Sequence, residues 1–213
     1  SSAECGAPLD DGRLLYVGQF VLGPSFVEQF VGRQTIDIDG VWKLSAHPDL
    51  ACTQVTDGQR SLTLIGHMLD PLAPAAGNED ILRPLLSRYA NRAVLIDATA
   101  GLGGRWTLIA INGEDKFLFT DALGLRQVFY TDLHETGVLW AMSQPGIVAE
   151  VLGLRLDPQA VAFMESHAFR SHPEYRWPGE ASPFIGTRHL LPNHWLDLNT
   201  GVSRRYWPMG LVA

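Results

Sequence analysis

The 213-residue chain predicts an α+β domain in which two antiparallel sheets stack on each other and helices cover their outer faces. Three observations point there. Short apolar runs separated by Gly, Pro, Asn or Asp dominate the chain, and helical periodicity is confined to two regions, near residues 78–92 and 144–167. The resulting order is strands, one helix, strands, two helices, a loop and strands. Antiparallel strands grouped in this way leave apolar faces that only helices can cover.

Residues 14–22, LLYVGQFVL, are apolar almost throughout, which suits a central strand covered on both faces, with residues 1–13 as a tail before it. TIDIDG at 35–40 alternates and ends in a turn; VWKLSA at 41–46 and SLTLIGHML at 61–69 follow as short strands. From Asn78 onward Ile81, Leu82, Leu85, Leu86 and Tyr89 share one helical face, with Glu79 and Asp80 at the N-terminal end and Arg88 and Arg92 at the other. Pro84 would remove a backbone bond from a helix capped at Asn78, so the regular helix is expected to start nearer Asp80. RWTLIAI at 105–111 and KFLFT at 116–120 then flank Asn112-Gly113, two residues that tolerate positive φ and signal a hairpin.

QVFY at 127–130 and VLWAMS at 138–143 are further strands. A helix after Ser143 carries Ile147, Val148, Val151 and Leu152 and stops at Gly153. The next has Asp157 as cap, Pro158 at its first position and Val161, Met164 and His167 on one face. The Pro- and Gly-rich segment 169–183 reads as a surface excursion, and HWLDLN at 194–199 and SRRYW at 203–207 close through Thr200-Gly201.

Composition narrows the function classes. Hydrophobic residues at 46% and charged residues at 18% describe a globular chain, and a net charge of -7 with no basic run argues against nucleic acid as a partner. No apolar stretch approaches the roughly 20 residues that span a bilayer, and SSAECGAPLDDGR lacks the basic and apolar regions of a signal peptide. A cytoplasmic protein without a membrane partner is expected. Cys5 and Cys52 are too few for a disulfide framework or a four-cysteine zinc site. His167 with His172, and His189 with His194, are five apart rather than the four that a helix brings together, so no metal site is expected. Cys52 reads as a buried small hydrophobe. His67 beside Asp70 is either an acid-base pair or a hydrogen-bonded loop feature, and Trp177 and Trp195 either line a groove for a peptide or sister domain or pack in the core.

Four segments in order resemble one family. FLFTDALGLRQVFY is similar to lflaRDplGirPLYy, LWAMSQPGIVAEVLG to lyfaSElkaLl, SPFIGTRHLLPNHWLDLN to tpfkgikrLpPGhyl, and RRYW to a closing yyw strand. These belong to the N-terminal glutaminase domain of class II glutamine amidotransferases, asparagine synthetase branch. The resemblance implies the four-layer αββα sandwich of N-terminal-nucleophile hydrolases over residues 14–208, with 209–213 beginning a linker to a second domain. Within the turn TDALGLR, Asp121 can accept backbone N–H groups, Gly124 allows a tight reversal with positive φ, and Arg126 can pair with a nearby acid.

Where the family carries its chemistry this chain departs from it. The family's mature chain begins Cys-Gly at the head of the first strand, its thiolate attacking the glutamine amide and its α-amine serving as base. Here Cys5-Gly6 is followed by APLDDGR before the strand begins, and Cys5 has no free amine without proteolysis. SAHPDL stands where the family has hRGPD, so Ala46-His47 replaces the arginine that clamps the glutamine carboxylate. LIGHMLD stands for vNGEiYN: Gly66 is kept, Ile65 replaces the oxyanion-hole asparagine and His67 the glutamate. The aspartate that anchors the substrate amine falls at Asn78.

Losing one oxyanion donor typically costs on the order of 100- to 1000-fold in rate, so the resemblance implies a domain that kept the scaffold and lost glutamine hydrolysis. β-lactam synthetases and lasso-peptide macrocyclases of the family behave this way. The expected partner is an ATP-pyrophosphatase-type synthetase domain, in the same or another chain, which would bring ATP and Mg and act on an amino-acid or peptide substrate. No run in this chain resembles its SGGlDSs loop, and no cofactor is expected within the domain itself. A homodimer, an active glutaminase with processed Cys5, and a free-standing binding module stay open as alternatives.

Overall fold

The structure is a computed structural model and describes residues 16–29, 32–171 and 177–208. Two six-stranded sheets, antiparallel throughout, stack face to face. The first runs β10 (Thr187–His189), β8 (Phe129–Thr131), β9 (Ala141–Met142), β1 (Phe20–Gly23), β3 (Lys43–Ala46), β2 (Gln34–Asp37). The second runs β12 (Ser203–Arg205), β11 (His194–Asp197), β7 (Asp115–Thr120), β6 (Gly103–Asn112), β5 (Arg60–Leu69), β4 (Cys52–Thr56).

Strand alternation builds three apolar layers. Between the sheets, Phe20, Leu22 and Leu44 meet Ile65, Ile109, Ile111 and Leu118. The intervening residues Leu62, Leu64, Leu108, Phe117 and Phe119 face outward onto Ile81, Leu82, Leu85 and Leu86 of helix α1 (Asn78–Arg88) and Leu95 of α2 (Arg92–Ala98). On the other side Val21, Phe129 and Met142 pack against Ile147 and Val148 of α4 (Gly146–Leu152). Strands covered on both faces explain the near-continuous apolar runs. The α+β architecture of stacked sheets under helices is the predicted one.

Several boundaries differ from the sequence expectation. Of the expected first strand, residues 14 and 15 lie outside the described residues, and Tyr16 takes φ 63° in a turn closed by Gln19 N–H to Tyr16 O, so β1 begins at Phe20. Helix α1 starts at Asn78 behind Gly77, despite Pro84, because Asp80 returns to accept the Gly77 N–H at 3.0 Å. A second helix, α2, follows it, capped by Asn91 accepting from Val94 N at 3.1 Å. In the β6–β7 hairpin only Gly113 has positive φ, 58°; Asn112 pairs with Asp115 as the last strand residue.

Asp157 caps α5 (Pro158–Glu165) as expected, but Ala160 is its buried residue, while exposed His167 opens a separate turn, α6 (His167–Arg170), beyond a break at Ser166. The short helix α3 (Leu133–Thr136) completes the described elements. No helix among the described residues is long and apolar enough to cross a membrane.

Candidate functional site

A cavity of about 810 Å³ opens where the two sheets part, at the head of β1. Val17, Gly18 and Gln19 form one wall, the turn between β7 and β8 a second, Ser143 and Gln144 after β9 a third, and Trp177, Gly179 and His189 a fourth. Arg105 of β6 and Arg126 of the turn project cationic groups into its lining.

The turn is held by one carboxylate. Asp121, 3% exposed, accepts the Trp106 and Arg126 N–H groups on Oδ2 and those of Leu123 and Leu125 on Oδ1, at 2.9–3.2 Å. Gly124 takes φ 62°, and a Cβ there would come within 2.9 Å of Pro192 Cγ, so glycine suits both the reversal and the packing. These two roles agree with the sequence reading. That of Arg126 does not: among the described residues no acid lies within ion-pair distance of it. Its Nη1 donates to Gly18 O at 3.3 Å and its buried Nε has no acceptor. Burial, and then the neighbouring Arg105 charge, push its guanidinium below its ordinary pKa. Arg105 is fixed by its own Nε donating to Leu125 O at 3.0 Å.

The cavity is not lined by Gly66, His67 or Asn78. Gly66 and Asn78 do meet each other: the Asn78 amide donates to Gly66 O at 2.9 Å and accepts from Met68 N at 3.1 Å, tying the start of α1 to β5. Gly66 adopts φ 104° with Arg126 Nε on its open face. His67 is exposed, and Asp70 accepts Leu72 N rather than engaging it, which favours the loop-feature alternative. At the clamp position His47 is 1% exposed, its Nδ1 accepting the Asp49 N–H, and Ile65 is fully buried between the sheets. Cys52 is half-buried beside Arg126, and burial raises its thiol to about 11. Cys5 lies outside the described residues.

Arg105, Gln19, Gln127, Gln144, Ser143 and His189 were not singled out from sequence as lining residues. The only trace of one is that Arg105 is the sole charge in RWTLIAI. His189 lies with its ring 5.0 Å from that of Phe129, tilted against it, and burial lowers its imidazole pKa. Trp177 packs with Phe163 and Phe169, while Trp195 carries Arg92 over its face at 3.7 Å, on the outer side of the second sheet. Among the described residues no group of three or more His, Cys, Asp or Glu is placed to hold a metal ion.

No family model and no curated protein matches the chain. Among solved structures it is similar to the allosteric regulatory enzyme of purine biosynthesis, at 9% identity and TM-score 0.50 over 93% of this chain and 46% of that one. The fold is that of the N-terminal-nucleophile hydrolases. A second similar structure is glutamine phosphoribosylpyrophosphate amidotransferase from B. subtilis complexed with ADP and GMP, at 11% identity and TM-score 0.46 over 81% and 36% of the two chains. This chain thus spans less than half the length of either. Gly18 and Gln19, at the head of the first strand, border the cavity.

Proposed function

We propose that this chain is a glutamine-amidotransferase-like domain that no longer hydrolyses glutamine and serves as scaffold and substrate-positioning domain for an asparagine-synthetase-like, ATP-dependent, amide-forming domain in the same or another chain. One observation carries the reading. Asn78 stands where the resemblance expects a carboxylate for the substrate amine, and both ends of its amide are committed to the backbone of β5. A neutral amide engaged in this way has no charge to offer an ammonium group. Two neighbours agree: Ile65 contributes no donor where an oxyanion would need one, and His47 is buried at the clamp position. ATP and Mg would belong to the partner domain.

A second reading is favoured by the cavity at the head of β1, which has room for a substrate: a glutaminase exposed by processing at Cys5. Incubation with glutamine, and separately with the glutamine-directed electrophile diazo-oxo-norleucine, decides between them. The scaffold reading expects no ammonia above the buffer rate and no mass shift on Cys5. Either ammonia release or a Cys5 adduct overturns it.

A further inference from the structure

We infer that the cavity at the head of β1 is a binding site for the oxyanion of a small organic molecule, carboxylate or phosphate, with Arg105 and Arg126 as its cationic wall. The inference deepens the substrate-positioning reading and rests on it only for what the bound molecule is used for.

Among the described half-buried arginines Arg33, Arg60, Arg92 and Arg126, Arg126 alone lacks an acid within ion-pair distance, while Arg105 is one of several exposed arginines without one. Arg60 meets Asp57, Arg83 meets Glu79, Arg92 meets Asp115 and Asp197, Arg188 meets Asp132 and Glu180, and Lys116 meets Asp39. The chain has 23 acidic against 16 basic residues, so acids to neutralise a cation are in surplus. Yet among the described residues no Asp or Glu lines this cavity, and none lies within ion-pair distance of Arg105 or Arg126. The exposed Arg105 charge repels that of half-buried Arg126, and the more distant Asp121, already committed to four backbone N–H groups, offsets this without pairing with either guanidinium.

Position and donor geometry agree with an anion as the missing partner. Each guanidinium is anchored through one backbone carbonyl, Leu125 O for Arg105 and Gly18 O for Arg126, which fixes the groups while leaving further N–H donors uncommitted. The Arg126 Nε is buried against Gly66 with no acceptor among the described residues, so it is the Nη groups that are left to meet a ligand. Gln19, Gln127 and Gln144 add neutral amide donors, and Trp177 gives an aromatic wall for the rest of the molecule. A planar fork matches carboxylate and phosphate oxygens alike. At about 810 Å³ the space suits a small molecule.

Isothermal titration of the full chain at low salt tests this with glutarate, inorganic phosphate and neutral glutaramide as probes. Saturable binding of glutarate or phosphate, with glutaramide silent, is expected, and the tighter of the two identifies the source of the oxyanion. Arg105→Gln removes an exposed side chain and should weaken that binding by about tenfold or more, with the melting temperature unchanged. Arg126→Lys keeps the charge but loses the fork, and should weaken it as well. Absence of saturable heat with both anions up to about 50 mM, or an Arg105→Gln variant that binds like the parent, overturns the inference. Ammonia release from glutamine would sink the scaffold reading without touching this one, and failure to bind either anion does the reverse.

Discussion

Gly66 lies where β5 meets both β6 and Arg126. Its φ of 104° is open to glycine alone, and a Cβ built on it would stand 2.2 Å from Arg105 O and 2.8 Å from Arg126 Nε. Gly58 has a similar φ, 93°, but open space around it. Gly58→Ala therefore carries backbone strain alone, about 1–3 kcal/mol, whereas Gly66→Ala adds a backbone clash worth on the order of 1–3 kcal/mol more. Urea unfolding of the two variants should reproduce that order; equal losses would mean that β5 and β6 part freely at this point. Residues such as Asp121 and Gly124 were legible because turn chemistry is local: an acid and a glycine three positions apart specify their own partners. The cavity was not. Arg126 reaches Gly18 across 108 positions, and Ser143 reaches Phe20 across 123, so no window of sequence contains the site.

Elements were legible in proportion to how much of their period is buried. β6 and β7, apolar on both faces, read plainly, while β4 has one fully buried residue, Val55, and gave no signal. Helix α2 has no place in the sequence reading, which sets Arg92 at the end of a single helix, although Asn91 supplies a cap for a second one. One ion pair ties the two sheets where hairpins end: Lys116 Nζ of β7 lies 2.8 Å from Asp39 Oδ2, in the turn between β2 and β3. Burial alone would raise the Asp39 pKa, but Lys116 and the N–H groups of Trp42 and Val41 outweigh it and hold the carboxyl below the ordinary range. A carboxyl with a folded pKa below its unfolded one stabilises the fold above about pH 4 and loses that contribution as pH falls through the folded value. Asp39→Asn and Lys116→Met should therefore each reduce the drop in urea midpoint between pH 7 and acid, relative to the parent. An undiminished drop in both variants would place the acid sensitivity elsewhere.

At the scale of the molecule, function follows from how the layers close. The sheets are joined through Phe20, Leu22, Leu44, Ile109 and Leu118, and the cavity begins where that apolar layer gives way to Gln19 and the arginines. The layer order was legible because it is written into strand alternation; where the sheets part was not, since it depends on how their ends diverge. Leu44 tests the closure. It is fully buried on β3, paired with Leu22 on one side and Ile36 on the other, and it faces the opposite sheet, so its surroundings cannot relax into a void without moving two strands. Leu44→Ala should cost about 3–5 kcal/mol, toward the upper end for such truncations. Leu156→Ala, half exposed beyond α4, should cost about 1 kcal/mol or less. Because the same layer fixes β1 relative to β6, Leu44→Ala should also weaken oxyanion binding although it touches nothing in the cavity. A variant that loses stability but titrates glutarate or phosphate like the parent would mean that the head of β1 is positioned by its own loop rather than by the inter-sheet core.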